Sequence, residues 1–239
     1  MKKLLSLLFI LIAFQGMAQT QEIGVRSGVP TYMYSMSEGK EALSLMPAWE
    51  APVINVYFRD GIRDHLFWEA GLAWYRPALT TGAEILFFDE TVTQRFSNLL
   101  FQAMSLNGAI GSEFKMVSNL YLDLQTGLSV DYYFDPVPAQ SGGGYVGDTH
   151  VTYSIDEDAL KTDINMHIQN RLSLCWKTGF NLNFTLSAAW FTGLFDTWES
   201  SKTYELHATE SSAEYYEPDF YSRGSYWLVD AGIAWRFGK

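Results

Sequence analysis

The chain of 239 residues carries a formal charge of −11, with 48% hydrophobic and 18% charged residues. This composition is too apolar for a disordered chain, and the acidic balance leaves no basic stripe for a nucleic-acid backbone. A single cysteine, Cys175, excludes an intramolecular disulfide framework and a cysteine-rich metal site.

The first eighteen residues have the pattern of a secretory signal peptide. Two lysines precede an apolar run over residues 4–14, and Gly16 and Ala18 are the small residues of a cleavage site. Such a run is too short for a hydrocarbon core about 30 Å thick, which needs about 20 helical residues. We therefore expect residues 1–18 to be removed and residues 19–239 to form one barrel domain.

Eight segments of the mature chain alternate between apolar residues and polar or small residues. A period of two is typical of a β-strand whose two faces meet different surroundings. No later apolar stretch approaches the roughly 18 residues that a transmembrane helix needs. In chain order, the predicted strands are Ile23–Val29, Pro52–Phe58, Leu66–Trp74, Met104–Phe114, Leu120–Tyr132, Ile164–Trp176, Phe180–Trp190 and Trp227–Phe237.

The length of the clearest strands indicates what their apolar face meets. Phe180–Trp190 and Trp227–Phe237 each run between two aromatic residues. At about 3.3 Å per residue and a tilt of about 40°, they rise about 25 Å, the height of the apolar band of an outer-membrane barrel. The alternative, a soluble sandwich or lipocalin-like barrel, would leave Trp and Leu on an aggregation-prone surface.

The connections between these strands alternate in length, as in an even-stranded outer-membrane barrel with short periplasmic turns and long outer loops. The short ones are 59–65, with a turn predicted at Asp60-Gly61, 115–119 and 177–179; the long ones are 30–51, 77–103, 135–163 and 191–226. We predict an all-β fold, a closed antiparallel eight-stranded transmembrane β-barrel in the cell outer membrane. A ten-stranded alternative stays open, because residues 84–95 and 203–216 are candidates either for an extra hairpin or for an extension of existing strands above the membrane.

These features resemble a known family, the small eight-stranded outer-membrane barrels such as OmpX and the transmembrane domain of OmpA. The resemblance rests on the cleavage pattern, the eight repeats and the final strand. In that family the last strand, with an aromatic near its end, is an assembly signal; Phe237 matches in kind, although Gly238 and Lys239 follow it. The long loops also look like PorT-type barrels associated with secretion machinery, but no specific motif matches. The resemblance implies a fold and leaves the function open.

The inward-facing positions of the predicted strands carry charges of both signs. Eight strands enclose an interior just wide enough for side chains to fill, and an unpaired buried charge is costly. We therefore expect ion pairs that plug the lumen, with a conducting channel as the alternative. The predicted set is Glu22, Arg26, Glu69, Glu113, Asp123, Asp131, His167, Arg171, Asp230 and Arg236.

The long loops are acidic and rich in tyrosine. Residues 156–158, Asp-Glu-Asp, are the best local cluster for a divalent cation, but they lack the ligand spacing and glycine of a calcium loop. We expect a solvated loop, with cations that bridge to lipopolysaccharide as a weaker alternative. Residues 141–144 are glycine-rich without a following lysine or helix, so we expect a flexible loop tip and not a phosphate cradle. No metal and no cofactor is predicted.

An enzyme on this scaffold would need a nucleophile, a base and an acid near the outer leaflet. His65 falls at a short turn, and His167 is expected in mid-barrel without a nearby serine. His150 and His207 fall in long loops without the His-x-Ser spacing of deacylase-like barrels. We predict no catalytic residues.

The leading hypothesis is a non-enzymatic outer-membrane barrel that anchors its loops as a contact surface. Tyrosine-rich loops on a rigid scaffold present large contact areas at low entropic cost, although they also pack on one another. The expected surroundings are outer-membrane lipid and lipopolysaccharide, with envelope or extracellular proteins as partners. The alternatives are an accessory subunit of a secretion or assembly machine, a lipid A-modifying enzyme and a small channel.

Overall fold

A computed structural model describes the backbone of most of the chain: residues 21–36, 43–46, 52–87, 90–99, 101–134, 140–146, 149–155, 159–208, 212–216 and 219–237. Side chains are described for residues 21–35, 52–77, 101–134, 161–199 and 221–237. The expected signal peptide at 1–18 and the acidic cluster at 156–158 lie outside the described residues, and both stay predictions.

Eight antiparallel strands close into a barrel, as the sequence predicts. Each strand pairs with its neighbours in sequence, and the first pairs with the last. All eight predicted segments coincide with these strands, which extend beyond most of the predicted bounds. The strands are β1 (Gln21–Tyr32), β2 (Val53–Arg63), β3 (Leu66–Tyr75), β4 (Gln102–Val117), β5 (Leu120–Phe134), β6 (Ile164–Lys177), β7 (Leu182–Gly193) and β8 (Tyr226–Phe237).

The register determines the tilt of the strands. A row of paired residues that starts at Thr31 in β1 returns to β1 at Gln21, a displacement of ten residues. In an eight-stranded barrel this stagger corresponds to a tilt of about 40°. The row passes through Thr31, Trp227, Trp190, Asn170, Thr126, Ile110, Trp68, Asp60 and Gln21.

The outer wall of the barrel is apolar. Large hydrophobic side chains stand exposed around it, among them Leu106 at 65% and Val229 at 60% exposure. Trp190 stacks on Trp227 with ring centroids 5.1 Å apart near one rim. Further aromatic pairs lie near the other rim: Phe58 with Trp68, Phe58 with Phe237, and Trp176 with Phe184. An apolar band between two aromatic girdles is the surface of a transmembrane barrel.

One rim of the barrel, here called the turn end, carries tight connections at residues 64–65, 118–119 and 178–181. Ser118 and Asn181 adopt positive φ angles of 38° and 61° in the second and third of these turns. The turn predicted at Asp60-Gly61 is wrong. Strand β2 continues through both residues and bulges before Arg63, because its alternation keeps Arg59 inside the lumen.

The opposite rim, here called the loop end, continues into two further sheets. Predicted hairpins 84–95 and 203–216 coincide with hairpins of these sheets and do not enter the barrel wall. No helix among the described residues is long and apolar enough to cross a membrane. One sheet contains Leu43–Met46, Ala78–Phe87 and Glu90–Leu99. The other, here called the loop sheet, contains Ser35–Met36, Gln140–Val146, Thr149–Ile155, Ala159–Leu160, Trp198–Ala208, Ser212–Tyr216 and Asp219–Ser222. The loop tip predicted at residues 141–144 is wrong, because these residues lie within Gln140–Val146 and pair with Thr149–Ile155.

Candidate functional site in the barrel lumen

The predicted inward charges face the lumen and form successive layers along it. Eight of the ten are buried, whereas Glu113 and Arg236 near the turn end are partly exposed. The buried eight are Glu22, Arg26, Glu69, Asp123, Asp131, His167, Arg171 and Asp230.

The layer at the turn end is built around Arg59. Its guanidinium donates to Asp123 over 2.5 Å and to Glu113 over 3.1 Å. Lys177 donates to the other oxygen of Glu113 over 2.5 Å. The Arg59 guanidinium also lies 3.4 Å from the ring centroid of Phe67. These contacts neutralise the carboxylates of Asp123 and Glu113 inside the wall. An unpaired charge buried there would be very costly.

Sequence reasoning missed Arg59 and Lys177, because it assigned both to connecting turns. The signal that would have found them is continued alternation. Arg59 follows the inward positions Asn55 and Tyr57, and Lys177 follows Cys175 at the same spacing of two. The turn signal of Asp60-Gly61 was given too much weight against that period.

The middle layer contains two further ion pairs. Arg26 donates two parallel hydrogen bonds to Glu69, over 2.6 and 2.7 Å, and Gln125 donates to the same carboxylate over 3.3 Å. Arg171 pairs with Asp230. A two-point contact between guanidinium and carboxylate fixes geometry as well as charge.

Glycine makes room for this layer. The Arg26 guanidinium stacks 3.7 Å from the ring centroid of Tyr57. A Cβ on Gly24 would lie 2.6 Å from the Tyr57 ring, and one on Gly232 would lie 2.6 Å from Arg26 Cγ. Both positions must therefore lack a side chain, since the lumen is already full at this depth.

The layer near the loop end has one carboxylate, Asp131, at its centre. The Tyr75 hydroxyl donates to Asp131, and His167 Nδ1 lies 3.2 Å from the same oxygen. His167 Nε2 lies 3.0 Å from the carbonyl oxygen of Gly224, a residue with φ of 71°. Both ring nitrogens of His167 therefore face oxygen atoms of the protein.

Aromatic rings cover this layer on the loop side. Phe191 and Tyr226 stack in parallel with centroids 4.4 Å apart, and Tyr32 lies 5.5 Å from Tyr226. Trp198, from the loop sheet, is 1% exposed and meets the Tyr34 ring edge-on at 5.7 Å. The loop end is thus closed by rings from the barrel and from the loop that follows β7.

The four histidines lie in separate parts of the fold or in its loops, and the described residues around them do not form a catalytic centre. His167 lies near the loop end of β6 rather than in mid-barrel, since it follows the first residue of that strand, Ile164, by only three positions, and it is fully buried. His65 lies in the turn between β2 and β3, as predicted. Residues 150 and 207 are register partners in the loop sheet, and their side chains lie outside those described.

Metal binding finds no support in the described part of the chain. Among the described residues, no group of three or more histidine, cysteine and acidic side chains is arranged to hold a metal ion. Cys175 is fully buried inside the wall.

Two exposed ion pairs line a depression of about 570 Å³ at the loop end. Lys161 pairs with Glu199, and Arg223 Nε lies 3.1 Å from Asp196. The hydrogen bond to the Glu199 carboxylate raises the pKa of Lys161 above its usual value. Glu199 lies in an acidic loop for which the sequence predicts contact with solvent. In the structure it pairs with Lys161.

The similarity of this chain to known proteins is found in solved structures and not in sequence families. No protein-family model matches the sequence, and no curated protein is significantly similar to it. The chain is similar to the outer membrane protein OprG from Pseudomonas aeruginosa, at 8% identity over 93% of this chain and 97% of that chain, with a TM-score of 0.45. It is also similar to Ail, the attachment invasion locus protein of Yersinia pestis, at 8% identity over 92% and 100%, with a TM-score of 0.41. A major outer membrane protein from Thermus thermophilus matches at 10% identity over 91% and 99%, with a TM-score of 0.42.

These similarities carry no functional information, since the identities are 8–10% and the TM-scores lie below 0.5. The location follows instead from the barrel itself. Its wall is closed, so no backbone edge meets lipid, and it is apolar outside and ionic inside. The chain is an outer-membrane β-barrel protein.

Proposed function

We propose that this protein is a non-conducting, non-enzymatic outer-membrane anchor that presents the two sheets at its loop end to envelope or extracellular partners. One observation carries the proposal: buried ion pairs and stacked rings occupy the lumen at successive depths, while strands from all four long connections join into sheets at the loop end. The barrel then serves as a rigid support, and recognition takes place on the loops.

Support for a sealed lumen comes from its packing. The cavity at the turn end, beside Arg59 and Glu113, measures about 40 Å³, and the one in the aromatic layer measures about 10 Å³. Such volumes hold a few water molecules at most. An ion would have to break paired charges such as Arg26 with Glu69 to pass, so a small channel is the weaker alternative.

Support for a contact surface comes from the way the loops are joined. The first long connection contributes Ser35–Met36 to one sheet and Leu43–Met46 to the other. Trp198–Ala208 pairs with strands from two different long connections. Backbone pairing between loops holds their positions relative to one another, which lowers the entropic cost of binding a partner. An accessory subunit of a secretion or assembly machine would use the same surface and remains the second candidate.

The test is cross-linking in native membranes, followed by affinity purification and mass spectrometry. We expect a partner that is recovered in a fixed ratio, lost when residues 140–155 are replaced by a short glycine-serine linker, and retained in His65→Ala at the turn end. Gel mobility before and after heating checks that both variants fold. A partner that depends on His65 and ignores the loop replacement would contradict the proposal.

A further inference from the structure

Two polar side chains interrupt the lipid-facing surface of β5 and β6. Thr126 and Asn170 are exposed on the outer wall and are register partners. The Thr126 hydroxyl donates to Asn170 Oδ1 over 3.0 Å and lies 3.5 Å from the carbonyl oxygen of Gln169. The neighbouring outward positions on these two strands are apolar: Leu122, Leu124, Leu128, Val130, Ile168, Leu172 and Leu174.

The pair lies in the middle of the membrane. Asn170 is equally distant along β6 from Ile164 and Trp176, which stand on the outer wall near opposite rims. The register row through the pair runs from the stacked tryptophans 190 and 227 on the loop side to Trp68 on the turn side. Neither side chain can reach an aqueous interface from this depth.

Asn170 has hydrogen-bonding capacity that the barrel does not use. An amide offers two N–H donors and two acceptor positions, and Thr126 occupies one acceptor. For the Nδ2 donors, no protein partner exists among the described residues. Hydrocarbon provides no water to replace one, so a donor left facing lipid is costly.

The wall around the pair is indented. A depression of about 430 Å³ lies beside Asn170, lined by Leu172, Ala188 and Trp190. A second, of about 340 Å³, lies beside Thr126. Leu124 borders both depressions and is 47% exposed. Leu124 therefore forms a ridge between two depressions, and another protein can pack closely on such a surface.

We propose that this wall, centred on Asn170, is an interface between two copies of the chain within the membrane. Copies of one barrel insert in the same orientation, so a two-fold axis between them runs along the membrane normal. A residue near that axis meets its own copy at the same depth, and the contact is self-complementary. Two primary amides satisfy this requirement, since each donates an N–H to the oxygen of the other.

The test uses cysteine cross-linking of the full chain in native outer membranes. The native Cys175 is fully buried inside the wall, so an introduced cysteine is the accessible one. Under mild oxidation, Leu172→Cys, at the outward position next to Asn170 on β6 and 47% exposed, is expected to yield a disulfide-linked homodimer. Val56→Cys is the matched control, since Val56 is 51% exposed on β2 in the opposite wall, and it is expected to stay monomeric.

A second set of variants tests the amide itself. Leu172→Cys serves as the reporter of dimer formation. We expect its dimer yield to fall at least several-fold when Asn170→Leu is added and to be largely kept with Asn170→Gln. Equal yields in both backgrounds would overturn the proposal. So would an absence of homodimer at Leu172→Cys, or cross-linking to a protein of different mass.

Discussion

The two halves of the lumen are sealed by different chemistry. In its middle and towards the turn end, the lumen is closed by guanidinium–carboxylate pairs, Arg26 with Glu69 in the middle layer and Arg59 with Asp123 nearer the turns. Towards the loop end, it is closed by stacked rings around one carboxylate, Asp131. The ionic half depends on charge balance within the wall, whereas the aromatic half also depends on Trp198 from the loop sheet. The halves should therefore respond differently to mutation.

The largest effect is expected in the ionic half. Arg26→Ala removes the partner of a fully buried carboxylate and should destabilise the barrel by about 3–5 kcal/mol. The measurement is urea-induced unfolding in lipid vesicles, followed by tryptophan fluorescence. The double variant Arg26→Met/Glu69→Leu should recover most of this loss, because no uncompensated charge remains. A double variant as unstable as Arg26→Ala would contradict the explanation by charge balance.

A smaller effect is expected in the aromatic half. Tyr75→Phe keeps the ring and removes the hydroxyl that donates to Asp131, which should cost about 1–3 kcal/mol in the same unfolding experiment. Tyr132→Phe is the control, since Tyr132 is 53% exposed on the outer wall and should change stability little. Equal losses in the two variants would show that the buried hydrogen bond has no special weight.

The smallest effect is expected outside the barrel, at the Lys161–Glu199 pair. Both side chains are 46% exposed, and solvent screens such pairs strongly. The pair raises the pKa of Lys161, so its contribution is present below the ordinary lysine pKa and is lost as the pH rises through the raised value. Glu199→Gln should lower that pKa towards the ordinary value, as measured by NMR titration of the lysine side chain. An unchanged titration would contradict the contact.

The sequence predicts the strands and the inward position of the charges, but it does not predict which charges pair. Alternation and connection length predict all eight strands, because the two faces of a transmembrane strand meet lipid and protein respectively. The same alternation places Asp131 and Arg171 inside. Which charges meet is not readable, since Arg26 and Glu69 are 43 residues apart and their contact depends on a stagger of ten residues that no local pattern encodes.

At the loop end, too, the sequence does not predict which strands pair. The sequence offers residues 84–95 and 203–216 as candidates for a hairpin or for extended strands, but it does not predict the sheets that join them. Pairing of Phe220 with Met36, for example, links connections that are far apart in sequence. Trp198 covers the lumen from a strand in which it pairs with Ser222, and no local pattern in the sequence predicts that pairing.

The central claim, that ion pairs and rings close the lumen, is tested most directly by single-channel recording. The barrel domain expected from the sequence, residues 19–239, is reconstituted into planar lipid bilayers, and current is measured across a range of voltages. The account predicts no stepwise conductance above the bare bilayer. Regular, voltage-independent conductance steps from the folded protein would contradict it, since they require a continuous aqueous path through the lumen.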